Sequence, residues 1–330
     1  MSADELYMHR CLQLALNGEI GAPPNPMVGA VIVCDDRIIG EGFHARCGEA
    51  HAEVNAFRSV SGADEALLPQ STLYVSLEPC AHYGKTPPCA ELIIRKGVKR
   101  VVVGCGDPFA KVQGRGIQML RDAGIEVVVG VLEQECRWLN RRFITFHTCH
   151  RPYITLKWAQ TAEGIIGESC TKLQISNPKF QISNFKFQRL TISSPATLRH
   201  AHHLRATHQA ILVGWRTDVM DRPSLTTRHY SGPDPLRIVY DSHAETIAQL
   251  LQRLYEQGVQ SLLVEGGAAT HRQFLDLGLW DEIHQEVGEN YKVQEHETPK
   301  VYAPDISSLS PDETFQIGTH TINRYYNHHF

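Results

Sequence analysis

His51 and Glu53, one alanine apart, and two cysteines, Cys80 and Cys89, are residues whose types and spacing can do chemistry together. One imidazole and two thiolates suit a tetrahedral zinc ion, and three protein ligands leave the fourth position open to water. An open position marks a catalytic site, because zinc lowers the pKa of a bound water from about 15.7 to about 7. Glu53 lies two residues from the ligand, so its carboxylate would sit over the open position rather than on the metal. There it would take the water's proton and pass it to a departing amino nitrogen. The order H-x-E, then P-C and a second Cys, is the signature of zinc deaminases. The bland alternative is a solvated His and Glu on a helix plus two unrelated cysteines. H-x-E or C-x8-C alone arises easily by chance; both together, with Pro79 before the first Cys, do not.

Local elements must hold these groups. Residues 51–60 suit a helix opening at His51, 73–77 a strand that delivers Pro79-Cys80, and 89–96 a helix beginning at Cys89. Residues 4–17 place Leu6, Met8, Cys11, Leu12 and Ala15 at helical spacing, and Gly18 and Gly21 stop that helix. An apolar run at 27–33, a turn at Asp35-Asp36-Arg37 and Ile38-Ile39-Gly40 read as a hairpin. Strands at 100–104 and 126–129 alternate with a helix at 116–123. The pattern predicts an α/β layer with a mainly parallel second half. A second α/β unit starts near Arg151-Pro152, where the proline breaks any preceding helix. Its strands fall at 153–158, 210–214, 236–240 and 261–264, its helices at 195–205, 246–256 and 269–277. The domains are therefore read as 1–150 and 151–330.

Length agrees: 330 residues at roughly 150 per domain make about two domains. A hydrophobic fraction of 42% places the chain among globular rather than disordered proteins. Lys+Arg 32 against Asp+Glu 36 leaves −4, with no global basic surface for a nucleic-acid backbone. No apolar run approaches the roughly 20 residues of a membrane helix. The polar, acidic start Met1-Ser2-Ala3-Asp4-Glu5 argues against a secretory signal, so the protein is read as soluble and cytoplasmic. Nine cysteines in such a chain do not suggest a disulfide framework. Cys11, Cys34, Cys47, Cys105, Cys136, Cys149 and Cys170 read as ordinary reduced thiols.

One segment looks foreign. Lys172-Leu173-Gln174-Ile175-Ser176-Asn177-Pro178 is nearly repeated as Lys179-Phe180-Gln181-Ile182-Ser183-Asn184-Phe185, and Lys186-Phe187-Gln188 begins a third copy. Pro178 and the Ser and Asn residues argue against a coiled coil. The repeat at 172–188 is read as a duplication tolerated as a surface insertion rather than as a binding device.

His51-Ala52-Glu53-Val54-Asn55-Ala56 together with Glu78-Pro79-Cys80-Ala81-His82-Tyr83-Gly84-Lys85-Thr86-Pro87-Pro88-Cys89 resembles the bifunctional riboflavin-biosynthesis deaminase/reductase family. The wide cysteine loop containing G-K-T-P-P-C separates that family from cytidine deaminases, whose cysteines are usually closer. Asn25-Pro26-Met27-Val28-Gly29 and Gly42-Phe43-His44 are also similar to the family's N-terminal strand motifs. The resemblance runs through most of the chain and is strongest over 1–150. It implies a cytidine-deaminase-like α/β/α domain followed by a dihydrofolate-reductase-like α/β domain. The implied reactions are hydrolytic deamination of 2,5-diamino-6-ribosylamino-4(3H)-pyrimidinone 5′-phosphate, then reduction of its ribosyl group to ribityl. The implied cofactors are one zinc ion per deaminase domain and NADPH. The implied partner is this small pyrimidine ribosyl phosphate, with no nucleic acid and no membrane, and a homo-oligomer left open.

By motif position, the resemblance makes Asn25 and His44 contacts to the base, and Lys85 and Asp107 contacts to the ribose phosphate end. One Asn amide does supply the paired donor and acceptor that a pyrimidine edge needs, and Lys85 is a local cation for a phosphate. Without the family, Lys85 reads as a solvated loop residue and Asn25 as a turn former before Pro26. In the second half, Val264-Glu265-Gly266-Gly267 lies between a strand and a helix, where glycines allow close backbone approach and helix amides can meet a diphosphate. That signal is weak alone, since it is also a common turn. It gains weight from Leu204-Arg205-Ala206, Ile211-Leu212-Val213-Gly214 and the stretch from Thr217 through Asp221 to Arg228, which resemble the family's reductase domain. Carried over, Ala159, Thr217, Asp221, Ser242, Gly266 and Gly267 contact NADPH, while Arg205, Leu225, Arg228 and Glu265 contact the substrate.

Three departures stand against this. The repeat precedes Thr191-Ile192-Ser193-Ser194-Pro195, where the family usually carries Gly-Glu-Ser and an aromatic. Few residues separate Ser242 from the helix near Thr246, where the family has a strand-bearing segment. The polar tail from His284 lacks the familiar apolar strand. These departures predict a reductase sheet short of strands and a weakened second step. Two other readings remain: a nucleic-acid editing deaminase of the tRNA adenosine type, which would want a basic groove, and a metal-binding protein whose catalysis has lapsed.

Overall fold

In the computed structural model, which describes residues 1–83, 87–109, 113–168, 191–288 and 299–327, the chain divides into two units, Met1–Arg151 and Pro152–Phe330. The first opens with α1 (Ala3–Ala15), started by a capping box in which the Ser2 hydroxyl accepts from the Glu5 amide and the Glu5 carboxylate accepts from the Ser2 amide. The hairpin β1 (Gly29–Cys34) and β2 (Arg37–Phe43) follows, then α2 (Ala52–Ser59), β3 (Thr72–Leu77), α3 (Cys89–Lys96), β4 (Arg100–Cys105), α4 (Arg115–Asp122), β5 (Glu126–Val129), α5 (Glu133–Leu139) and α6 (Arg141–Cys149). The strands form one sheet in the order β2-β1-β3-β4-β5. Its β2-β1-β3 part is antiparallel and its β3-β4-β5 part parallel. Covered on both faces, β1, β3 and β4 are buried along nearly their whole length and are rich in Val, Ile and Leu. One face packs Ala56, Ile93 and Leu120 of α2, α3 and α4; the other packs Met8 and Cys11 of α1 and Cys136 of α5. This three-layer arrangement places the starts of α2 and α3 near the end of β3.

The second unit comprises β6 (Tyr153–Thr161), β7 (Ile165–Glu168), α7 (Pro195–Thr207), β8 (Ala210–Gly214), α8 (Trp215–Asp221), β9 (Leu236–Tyr240), α9 (Ile247–Glu256), β10 (Ser261–Val264), α10 (Ala268–Asp276), β11 (Glu282–Gly288), β12 (Lys300–Tyr302), β13 (Glu313–Ile317) and β14 (His320–Tyr326). Seven strands build its main sheet in the order β13-β14-β11-β6-β10-β8-β9, and β12 pairs with β7 in a small separate ladder. From β11 to β9 all neighbours are parallel, so β6, β10, β8 and β9 end on one edge of the sheet.

The polar tail forms strands, contrary to the sequence expectation. β11 lies inside the sheet, parallel to β6 and antiparallel to β14, and β13 extends the sheet by one more strand. Its polar side chains are buried and each has a partner, although Glu286 Oε1 accepts no hydrogen bond among the described residues. Glu282 accepts from the Tyr153 hydroxyl at 3.1 Å and lies 2.5 Å from His284 Nε2. Glu286 accepts from Ser193 at 2.8 Å and has Lys157 Nζ 3.5 Å away. Gln285 accepts from Tyr325 and Asn323 and donates to Gln160. Hydropathy along one strand does not register partners on its neighbours, so the polar tail from His284 read as lacking a strand. On the other side the short link is as expected: β9 is an edge with Leu236 and Val239 exposed, and a turn leads directly to α9, capped by Thr246. The repeat at 172–188 lies outside the described residues. The helices α5, α6 and α8 were not anticipated.

Candidate functional site

β3 delivers Cys80 through Pro79, α2 begins directly after His51, and α3 begins at Cys89. His51 Nδ1 lies 3.6 Å from Cys80 Sγ and 3.4 Å from Cys89 Sγ, and the three ligand atoms all fall within 4.8 Å of one another. Zinc–sulfur bonds of about 2.3 Å and zinc–nitrogen bonds of about 2.05 Å at the tetrahedral angle give an N···S edge of about 3.6 Å. The spacing therefore fits zinc. The donor chemistry fits too. The Cys89 thiol and amide and His51 pull the Cys80 thiol down to about 4, while the ionised neighbour and burial push the Cys89 thiol up. Two thiolates this close oppose each other, and a dication is what lets both ionise. Glu53, in the first turn of α2, is 3% exposed. Burial, then the charge on Cys80, raises its carboxyl above the ordinary range.

The predicted base contacts meet each other. Asn25 Nδ2 and His44 Nε2 are 3.0 Å apart. His44 Nδ1 is 3.1 Å from the Ala50 carbonyl, which can only accept, so the proton sits on Nδ1 and Nε2 accepts from the Asn25 amide. Burial lowers the His44 pKa and keeps the ring neutral. Its edge faces the His51 ring at 5.3 Å. Asp107, on the loop after β4, is buried, accepts from the Phe109 amide and is pushed up to about 6 by burial. Lys85 lies outside the described residues.

In the second unit the predicted cofactor set gathers at the shared edge of the parallel strands, where open α/β sheets bind ligands. Ala159 lies near the end of β6, Gly266 and Gly267 follow β10, Thr217 and Asp221 lie on α8 directly after β8, and Ser242 follows β9. A Cβ on Gly267 would stand 3.0 Å from Thr217 Oγ1, so these two positions are in close contact. Of the predicted substrate contacts, Arg205 and Glu265 form a bidentate pair at 2.8 and 2.7 Å, and Arg205 also donates to the Thr226 carbonyl. Leu225 is buried with φ +55°, a left-handed backbone unusual for leucine, and Arg228 donates to Ser224, four residues earlier in the same loop.

Residues 1–105 match the family model of the cytidine and deoxycytidylate deaminase zinc-binding region, and residues 152–287 match that of the RibD C-terminal domain. Over 328 residues the chain is 36% identical to the riboflavin biosynthesis protein RibD of Bacillus amyloliquefaciens, covering 85% of this chain and 83% of that protein. A RibD structure from Acinetobacter baumannii superposes with a TM-score of 0.82 at 30% identity, covering 98% of both chains. This chain belongs to the RibD family. A further structural relative, from Thermotoga maritima, is a diaminohydroxyphosphoribosylaminopyrimidine deaminase/5-amino-6-(5-phosphoribosylamino)uracil reductase; it has a TM-score of 0.78 and 32% identity over 98% of each chain. Like its family, this RibD chain is a bifunctional deaminase/reductase of riboflavin biosynthesis, with a zinc-binding deaminase domain and an NADPH-dependent reductase domain. The editing-deaminase and lapsed-catalysis readings are not favoured.

Three residues around the RibD sites escaped the sequence reading. Glu78, 4% exposed, accepts from the amides of Asp107, Gly114, Gly116 and Ile117. It thereby caps α4 from another element and ties the Asp107 loop to the zinc loop. Gly116 must lack a side chain for this, since a Cβ there would lie 1.9 Å from the Pro79 carbonyl oxygen. Lys157 in β6 is mostly buried beside Glu286; a lysine between Leu156 and Trp158 in a strand was its available signal. Asn140, between α5 and α6, carried no local signal at all.

Proposed function

We propose that residues 1–151 deaminate 2,5-diamino-6-ribosylamino-4(3H)-pyrimidinone 5′-phosphate and that residues 152–330 then reduce its ribosyl group to ribityl. The observation that carries the first step is the convergence of His51, Cys80 and Cys89 beside a buried Glu53. Those three residues would hold zinc, which supplies a water acidic enough to act as a nucleophile at neutral pH. Glu53 accepts the water's proton on its carboxylate and returns it to the leaving nitrogen, so water and the exocyclic C–N bond become a carbonyl and ammonia. Asn25, oriented by His44, offers its carbonyl oxygen to a donor on the pyrimidine edge. Asp107, with Lys85, takes the ribose phosphate end.

In the second step a hydride reaches C1′ and a proton reaches the ring oxygen as the C1′–O4′ bond opens. Ala159, Thr217, Asp221, Ser242, Gly266 and Gly267 hold the nicotinamide dinucleotide, whose diphosphate suits the free amides where α10 begins. Arg205, Leu225, Arg228 and Glu265 bind the ribosyl substrate, the guanidiniums suiting its phosphate. The closed β11 side of the sheet supports a working reductase. Eight described free cysteines suit a reducing cytoplasm. Among the described residues no helix is long and apolar enough to cross a membrane. Ammonia release from the diaminopyrimidinone, followed by nicotinamide oxidation on the deaminated intermediate, tests both steps. Ammonia from tRNA or cytidine but not from this substrate overturns the first; no oxidation with the intermediate overturns the second.

A further inference from the structure

We propose that Asn140 is a positioning residue for deamination, clamping residues 25–28 so that the Asn25 amide stays aligned with His44; this rests on the reading of Asn25 as a base contact. The segment needs an outside support. Prolines at 23, 24 and 26 remove three backbone donors, and β1 begins only at Gly29. Met27 therefore has no strand partner for its own amide and carbonyl. A single side chain takes both: the Met27 amide donates to Asn140 Oδ1 at 2.8 Å, and Asn140 Nδ2 donates to the Met27 carbonyl at 2.9 Å. The carboxamide thus imitates one rung of a strand ladder, which neither Asp nor Leu can do.

Asn140 is 2% exposed and is fixed from behind, its amide donating to the Arg137 carbonyl at 3.1 Å and its carbonyl accepting from Ile144 at 2.9 Å. Two residues from Met27, Asn25 donates to His44, whose ring abuts the ligand His51. The clamp therefore connects, through four residues, to the metal centre. The same helix pair reaches the other substrate loop: the His147 ring of α6 lies 5.1 Å from that of Phe109, whose amide bonds to Asp107. Asn140 falls between the two matched regions, 1–105 and 152–287, so the helices joining them finish the deaminase cleft.

The test is a double-mutant cycle on the full chain with Asn25→Ala and Asn140→Leu, reading zinc content, KM and kcat for deamination, and reduction of the deaminated intermediate. Asn140→Leu should keep one zinc per chain and normal reduction while raising the deamination KM about 10-fold or more, with kcat changing less. Because Asn140 acts through Asn25, the double variant should be no worse than Asn25→Ala alone. Effects that multiply, or a KM within twofold of the parent, overturn the proposal. If Asn140→Leu fails to hold zinc, Asn140→Asp, which keeps the acceptor for Met27, is read in the same cycle by the same criteria. If Asn25→Ala itself leaves KM unchanged, the base-contact reading fails; a raised KM in Asn25→Ala with none in either Asn140 variant sinks only the clamp.

Discussion

The zinc centre of the first unit and the Arg205–Glu265 site of the second handle charge in opposite ways. His51, Cys80 and Cys89 crowd three donors within 4.8 Å of one another, and the two thiols oppose each other's ionisation. Arg205 and Glu265, each about one-tenth exposed, neutralise each other through two hydrogen bonds. The first site is completed only by a cation. The second is charge-balanced within the protein itself. A metal site thus declares itself by unbalanced donors, whereas a site built on an ion pair looks like ordinary structure until its place at the strand ends is known.

That contrast can be pressed experimentally. Glu53→Gln should lower the deamination rate by roughly 10²–10⁴, the usual scale for a general acid–base group, while zinc stays bound and reduction is untouched. Metal analysis and separate assays of the two steps decide this, and zinc loss in the variant would assign Glu53 to the metal instead. Arg205→Met removes one partner of the buried pair and leaves Glu265 uncompensated. Denaturant unfolding of the second unit should show a loss of about 3–5 kcal/mol, with the deaminase rate unchanged; a neutral result would mean that Glu265 is solvated in solution. Gln285→Leu probes whether the polarity of β11 is structural. It strands the hydroxyl of Tyr325 and the amide of Asn323, so a cost of about 1–3 kcal/mol is expected, and a stabilised protein would contradict it.

The smallest effect at neutral pH concerns His271 of α10. Its ring is fully buried against Trp158, and burial lowers its pKa to about 4. The folded value lies below the unfolded 6.5, so the neutral ring's contribution is fully present above pH 6.5 and is lost as the pH falls through about 4. His271→Leu should leave stability at pH 7 nearly unchanged and move acid unfolding of the second unit to lower pH. An unmoved acid midpoint would exclude His271 as the source of acid sensitivity.

Legibility followed the range of the interactions. The zinc ligands could be read because few residue types bind zinc and each lies at the start of a helix or just past a strand visible in hydropathy. The residues expected to contact the cofactor lie near one edge of the second sheet because parallel strands share their ends. Asn25 and His44 were named from motifs, but their 3.0 Å contact and the tautomer it implies required the fold. β11 was missed because its polarity is answered by Tyr153, Lys157, Ser193 and Tyr325, all on other elements.

The sequence by itself determined the metal chemistry, the two α/β units and most of their strands, because ligand type, hydrophobic period and helix starts are encoded within a few neighbouring residues. Only the tertiary structure decided how Glu78 caps α4, how Glu282 and Glu286 are tolerated inside a sheet, and that Asn140 reaches Met27. Those side chains satisfy groups that lie between 29 and 129 residues away along the chain. A buried polar group is stable only when its partner is present, and the partner's position exists only once the chain has folded.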